Sequence, residues 1–185
     1  MTILSSLFET VGEQLDGIIL AYRRGAIPEH PETIVIYRDG TISSYNIVGK
    51  ITHNSITNES NATKIEIGNT VTEIGDYLFM DCSNLTSVII PSTVTTIGEG
   101  VFYDAYTLRS IVIPKTITLL NSTSFNSSAF ETITFIDRTI SEVQAMQNYS
   151  WHLTTCSHGI SSMQRTIVCS DGSFTINATE NHEPV

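Results

Sequence analysis

Basic side chains are scarce in this sequence: Lys and Arg together number 9 against 19 Asp and Glu, a formal net charge of −10. A nucleic-acid partner is excluded, because binding phosphates needs a basic footprint. An anionic membrane surface is disfavoured for the same reason. Long apolar runs are missing as well. The run "GIILAY" is far short of a bilayer span, so no membrane insertion is expected. Cysteine is sparse and odd in number, so Cys82, Cys156 and Cys169 cannot all pair within the chain, and a Cys156–Cys169 bridge is the one weighed. The opening "MTILSSLFETVGEQLDG" has no basic segment and carries Glu9 and Glu13 early, so no secretory leader is read there and synthesis in the cytoplasm is expected. Only 15% of residues are charged, which leaves Ser, Thr and Asn to make up much of the polar surface. The Asn-x-Ser/Thr triplets starting at Asn58, Asn61, Asn84, Asn121, Asn126, Asn148 and Asn177 are read as part of that composition, not as glycosylation sites.

Motifs that carry chemistry are also missing. The chain has no metalloprotease helix, phosphate loop, nucleophile elbow or paired CxxC. The nearest approach is "WHLTTCSHG" with Cys169 downstream, where His152, Cys156, His158 and Cys169 offer four N/S donors. Their spacing fits no standard zinc pattern, so they are read as a polar loop and a hairpin. A Cys156 nucleophile with a histidine base would lack a third, orienting group. No catalytic residue, metal or cofactor is expected, and the chain is read as non-enzymatic.

What is present is a ruler. Residues 68–90 read "GNTVTEIGDYLFMDCSNLTSVII" and residues 91–113 read "PSTVTTIGEGVFYDAYTLRSIVI", agreeing at ten of 23 positions without a gap. A third unit, "PKTITLLNSTSFNSSAFETITFI", begins at Pro114. Self-similarity at 20 to 30 residues marks a solenoid. Val71, Val94 and Ile117, then Ile74, Ile97 and Leu120, form inward apolar columns, and Phe79, Phe102 and Phe125 an aromatic one. Leu85, Val88 and Ile90 recur as Leu108, Ile111 and Ile113, alternate residues of a short strand pointing inward. In the third unit the match is Phe130, Ile133 and Phe135, one residue early, so a residue is lost between Phe125 and Phe130. The column Gly75, Gly98, Asn121 predicts a left-handed bend, which those residue types tolerate best. Pro91 and Pro114 sit just past the strands, where a missing N–H removes no ladder bond.

The spacing Leu-x-x-Val-x-Ile, with "TVTTIG" and the phenylalanine, resembles the BspA-like leucine-rich-repeat family of bacterial surface proteins and phage or prophage proteins. The resemblance covers residues 62–136, with Ala62, Ile65 and Ile67 matching the strand half of a further unit. It implies a solenoid that presents a binding surface, and it names no ligand.

Repeats bury their faces only against neighbours, so both ends need caps. Leu4, Leu7, Phe8, Val11, Leu15, Ile18, Ile19 and Tyr22 recur at helical spacing and predict an amphipathic helix over residues 4–23, stopped by Gly25 and Pro28. "TIVIYRDGTISSYNI" predicts a hairpin turning at Asp39-Gly40, and "RTIVCSDGSFTI" a second turning at Asp171-Gly172. "SEVQAMQNYSW" predicts a short helix opening at Thr139 or Ser141, with Trp151 either packed against the cap or an exposed anchor. The expected architecture is an α+β repeat protein: a short leucine-rich-repeat β-solenoid with an N-terminal amphipathic helix and flanking β-hairpins. Its parts are the helix at 1–24, a hairpin and linker at 25–61, the solenoid at 62–136 and a helix-plus-hairpin cap at 137–185.

Two surfaces are candidates for function. On the strand face, Lys64, Ser87, Ser110 and Thr132 form one outward row and Glu66, Ile89, Val112 and Thr134 another, with Ile89 and Val112 apolar where solvent is expected. This row is either a docking strip for a protein or glycan or a set of β-branched residues that favour strands. On the helix, the stripe Leu7, Phe8, Val11, Leu15, Ile18 and Ile19 either caps the first coil or associates with another chain, which would make the protein a homo-oligomer. The expected function is a binding or assembly protein, a structural or accessory component of a phage or prophage particle such as a tail or surface decoration. The alternative is a bacterial surface adhesion or protein-interaction module contacting a glycan or host surface.

Overall fold

The structure is a computed structural model that describes residues 30–121, 123–125, 128–146 and 162–179. The chain winds through about four coils, each contributing one strand to each of two walls. One wall holds β3 (Gly49–Ile51), β5 (Val71–Ile74), β7 (Thr96–Ile97) and β9 (Leu119–Leu120), all parallel. The other holds β4 (Ala62–Glu66), β6 (Ser87–Ile89), β8 (Ser110–Ile113) and β10 (Thr132–Phe135). In this second wall β4 pairs β6 and β8 pairs β10 in parallel, with a seam between β6 and β8, which are neighbours without regular pairing.

The ruler becomes vertical contact. Gly75 N–H donates to the Ile51 carbonyl at 2.8 Å, Gly98 N–H to Ile74 at 2.9 Å and Asn121 N–H to Ile97 at 3.2 Å. Ile51 therefore heads the column Ile74, Ile97, Leu120, one position above where the sequence repeat is visible, and all four are fully buried. The lost residue of the third unit shows in the ladder: Lys64 faces Ser87, 23 residues on, but Ser110 faces Thr132, only 22 on. Phe79, Phe102 and Phe125 stack at centroid distances of 5.7 and 5.6 Å, and Phe130 meets Phe102 and Phe125 edge-on. Threonine hydroxyls bind coil to coil: Thr93 donates to the Val71 carbonyl at 2.7 Å, Thr116 to Val94 at 2.8 Å and Thr107 to Leu85 at 2.7 Å. This is one use of the Thr-rich composition, since a hydroxyl satisfies a carbonyl that the short ladders leave open.

The predicted hairpins are present and extend the second wall at both ends. β1 (Thr33–Tyr37) and β2 (Ile42–Tyr45) pair antiparallel, and β1 lies antiparallel to β4. Asp39 Oδ1 accepts from Thr41 N–H and Gly40 takes φ +84°, closing the turn. At the other end β11 (Ser162–Cys169) runs parallel to β10 and pairs β12 (Gly172–Thr179). Its last pair is Cys169 with Gly172, so the two loop residues are Ser170 and Asp171, one position before the predicted turn. Between β10 and β11, Thr139 caps helix α1 (Ile140–Gln144) through a reciprocal capping box with Glu142, and Val143 enters the core. Arg165 is fully buried against this end, its Nη2 donating to the carbonyls of Phe125 and Ser128; burial lowers its pKa to about 10.

Two expectations are corrected. Among the described residues the only α-helix is the five residues of α1, so this part of the chain is a β-solenoid and not α+β; the predicted helix over 4–23 lies outside the described residues. The left-handed bends are not at Gly75 and Gly98. They fall two residues later, at Tyr77 (φ 55°) and Gly100 (φ 55°), and again at Asp81 (φ 60°) and Asp104 (φ 57°). Gly98 is required by proximity: a Cβ there would overlap Asp76 Oδ1 and sit 2.9 Å from Asp76 N and 3.0 Å from Gly75 C. Asn121 tolerates its side chain because the counterpart of Asp76 in the coil above, Glu99, turns away to accept a hydrogen bond from Tyr77 Oη at 2.6 Å.

Candidate interaction surface

Strand pairing places side chains in rows, because residues opposite one another point to the same face. The outer face of the second wall therefore carries two rows perpendicular to the strands. One runs Ile36, Lys64, Ser87 and, past the seam, Ser110, Thr132, Thr166. The other runs Ile34, Glu66, Ile89 and then Val112, Thr134, Val168. The six predicted strand-face residues thus lie in these two rows, Ser87 and Ser110 in the first and Glu66, Ile89, Val112 and Thr134 in the second. The hairpins add Ile34, Ile36 and Val168, which sequence reasoning missed because the hairpins were read as separate caps. Alternation of Ile34 and Ile36 with the inward Thr33, Val35 and Tyr37 was the available signal.

The expectation that Ile89 and Val112 face solvent is overturned. Glu66 is 7% exposed, Ile89 6%, Val112 5% and Thr134 4%. Ile89 and Val112 point away from the coil interior and stand outside the cluster of packed core residues, so the core does not bury them. The flanking Ile34 and Val168 are half-buried, as are Lys64, Ser87, Ser110 and Thr132. Burial thus peaks along one row at the four middle strands and falls away on every side. That footprint belongs to something lying across the strands.

The row is polar at both ends. At one, His30 Nε2 lies 2.7 Å from Glu66 Oε1 while Nδ1 contacts the Glu32 carbonyl at 2.6 Å. The other carboxylate oxygen of Glu66 is buried without a partner, and so is the Thr134 hydroxyl. Satisfied polar groups are the rule in buried sites, so two orphans in one row mark a surface built to meet more than its own coil.

A second concavity lies beside the first hairpin, a cleft of about 650 Å³ lined by Tyr37, Arg38, Tyr45, Asn58 and Asn61 among others. There the Tyr37 and Tyr45 hydroxyls are 2.6 Å apart, and burial pushes the Tyr37 phenol up. Among the described residues no group of three or more His, Cys, Asp or Glu is placed to hold a metal ion. Cys82 and Cys169 carry free buried thiols. His152, Cys156, His158 and Trp151 lie outside the described residues, and so do the helix-stripe residues Leu7, Phe8, Val11, Leu15, Ile18 and Ile19.

Comparison with known proteins agrees with the architecture. A family profile described as BspA type leucine-rich repeat region matches residues 41–164 with six copies, reaching beyond the 62–136 visible as repeats in the sequence. No curated protein and no solved structure matches the chain. The match spans well over half of the 185 residues, its repeats coincide with the stacked coils, and repeats of this kind suggest a protein–protein interaction module. This chain belongs to the BspA-type leucine-rich-repeat family.

Proposed function

We propose that this protein is a non-enzymatic assembly module whose second wall docks a protein segment, and that it serves as a structural or accessory component of a phage or prophage particle. The observation that carries the docking role is the Glu66–Ile89–Val112–Thr134 row, which is covered although it faces away from the core. Apolar residues at the centre with polar groups at the ends is the anatomy of an interface: a dry middle and a rim that sets register. The particle assignment rests on the family's occurrence among phage proteins and on the N-terminal apolar stripe, which exceeds what the end of one coil needs.

The test is fractionation of producing cells after lysis, with an antibody against the solenoid. Co-sedimentation with assembled particles through a density gradient is the expected result. Recovery with the cell envelope would favour the surface-adhesion role instead. Recovery only as free protein would overturn both.

A further inference from the structure

The covered row needs an occupant, and the chain supplies one. Building on the docking role proposed above, we propose that the occupant is this protein's own N-terminal segment, residues 1–24, laid across the outer face of the second wall in the same chain. The described chain begins at His30, whose ring contacts Glu66, the first residue of the row. The following residues are pinned beside it: the Pro31 carbonyl accepts from the Thr70 hydroxyl, and the His30 carbonyl from Asn69 N–H. Anything preceding His30 therefore starts at the polar edge of the row.

Length and chemistry agree. From Glu66 to Thr134 the row crosses three strand spacings, roughly 14 Å at about 4.8 Å each. The twenty residues from 4 to 23, if helical as their spacing predicts, extend about 30 Å, enough to cross the four central strands and reach the flanks. A helix about 10 Å wide lying along one row would bury that row fully and its neighbour by half. That is the gradient between the Ile89–Val112 row and the Ser87–Ser110 row. The stripe of Leu7, Phe8, Val11, Leu15, Ile18 and Ile19 meets Ile89 and Val112, and it leaves the acidic Glu9, Glu13 and Asp16 for the other side. The helix is then neither a lid on the first coil nor an arm free to find another chain. It fills the docking strip, and a partner protein must displace it or bind its back.

The test uses the full-length chain with Cys156→Ser and one reporter, Ile89→Cys or Val112→Cys, probed with a small thiol reagent in native buffer. The expected reporter reacts on the order of 100-fold more slowly than an unstructured thiol, independently of protein concentration. Adding Val11→Glu with Leu15→Glu should restore most of that rate while Cys82 stays unreactive, showing that the solenoid is intact. A photo-crosslinking residue at position 112 should capture peptides from 1–24 of the same chain, a measurement that needs no destabilising change. Fast labelling in the unaltered helix background would overturn both this inference and the covered-wall reading beneath it. Slow labelling indifferent to the glutamates, with cross-links elsewhere, would overturn only the occupant. Protection lost on dilution would mean a second copy supplies the segment, which also overturns the proposal.

Discussion

Replacing Gly98 by alanine adds one methyl group, and the structure sets where it goes. The new Cβ would overlap Asp76 Oδ1 and lie 2.9 Å from Asp76 N and 3.0 Å from Gly75 C. The carboxylate can swing aside, but then it gives up its 2.8 Å hydrogen bond from Glu99 N–H. The two backbone atoms cannot move without separating the coils and stretching the Gly98 N–H bond to Ile74, now 2.9 Å. Forcing a methyl into a packed site costs about 1–3 kcal/mol, and the lost hydrogen bond about 1 more. For a chain of this size each kcal/mol moves the melting point by about 2–4 °C, so a drop of roughly 4–12 °C is expected. Because Gly98 does not adopt a left-handed backbone, the penalty follows side-chain bulk, and asparagine should do worse than alanine. Urea titration and thermal melting by circular dichroism are the assays. An alanine variant within 0.5 kcal/mol of the parent, or asparagine tolerated better than alanine, would refute the close-approach explanation.

Other changes probe the remaining columns. Asp104 holds φ 57° and buries Oδ1 without a partner, so Asp104→Gly should stabilise by about 1 kcal/mol and raise the melting point. Phe102 sits between two stacked rings and edge-on to a third, and Phe102→Ala should cost about 3–5 kcal/mol in the same titration. Burial raises the Cys82 thiol from 9.0 to about 12, so between those values the unfolded chain releases a proton that the folded chain keeps. Stability should therefore fall as pH rises above 9, and the fall should be shallower in Cys82→Ala.

Much of this fold is legible because repetition amplifies weak signals. The inward columns, the phenylalanine stack, the deletion before Phe130 and both hairpins could be read from spacing and turn residues alone. Ile51 was missed because β3 carries a register shift between Gly49 and Lys50, so the outermost coil does not align with the next. The bend was misplaced because a repeated glycine answers two different needs, a positive φ or a missing Cβ, and sequence does not separate them. The repeated Asp81 and Asp104 were the better sign of a left-handed backbone. For the candidate site, alternation placed Ile89 and Val112 on the outer face correctly. Exposure did not follow, since what covers a face comes from elsewhere in the chain or from a partner, and no local pattern reports it.

The central claim is that the outer row of the second wall is covered in the native protein. Methyl NMR of the unmodified chain with a soluble paramagnetic chelate tests it most directly. Ile42, 67% exposed, serves as the solvent reference and Ile111, 2% exposed, as the core reference. The account predicts that the Ile89 and Val112 methyl signals survive the chelate as well as those of Ile111. Broadening of both to the extent seen for Ile42 would contradict it.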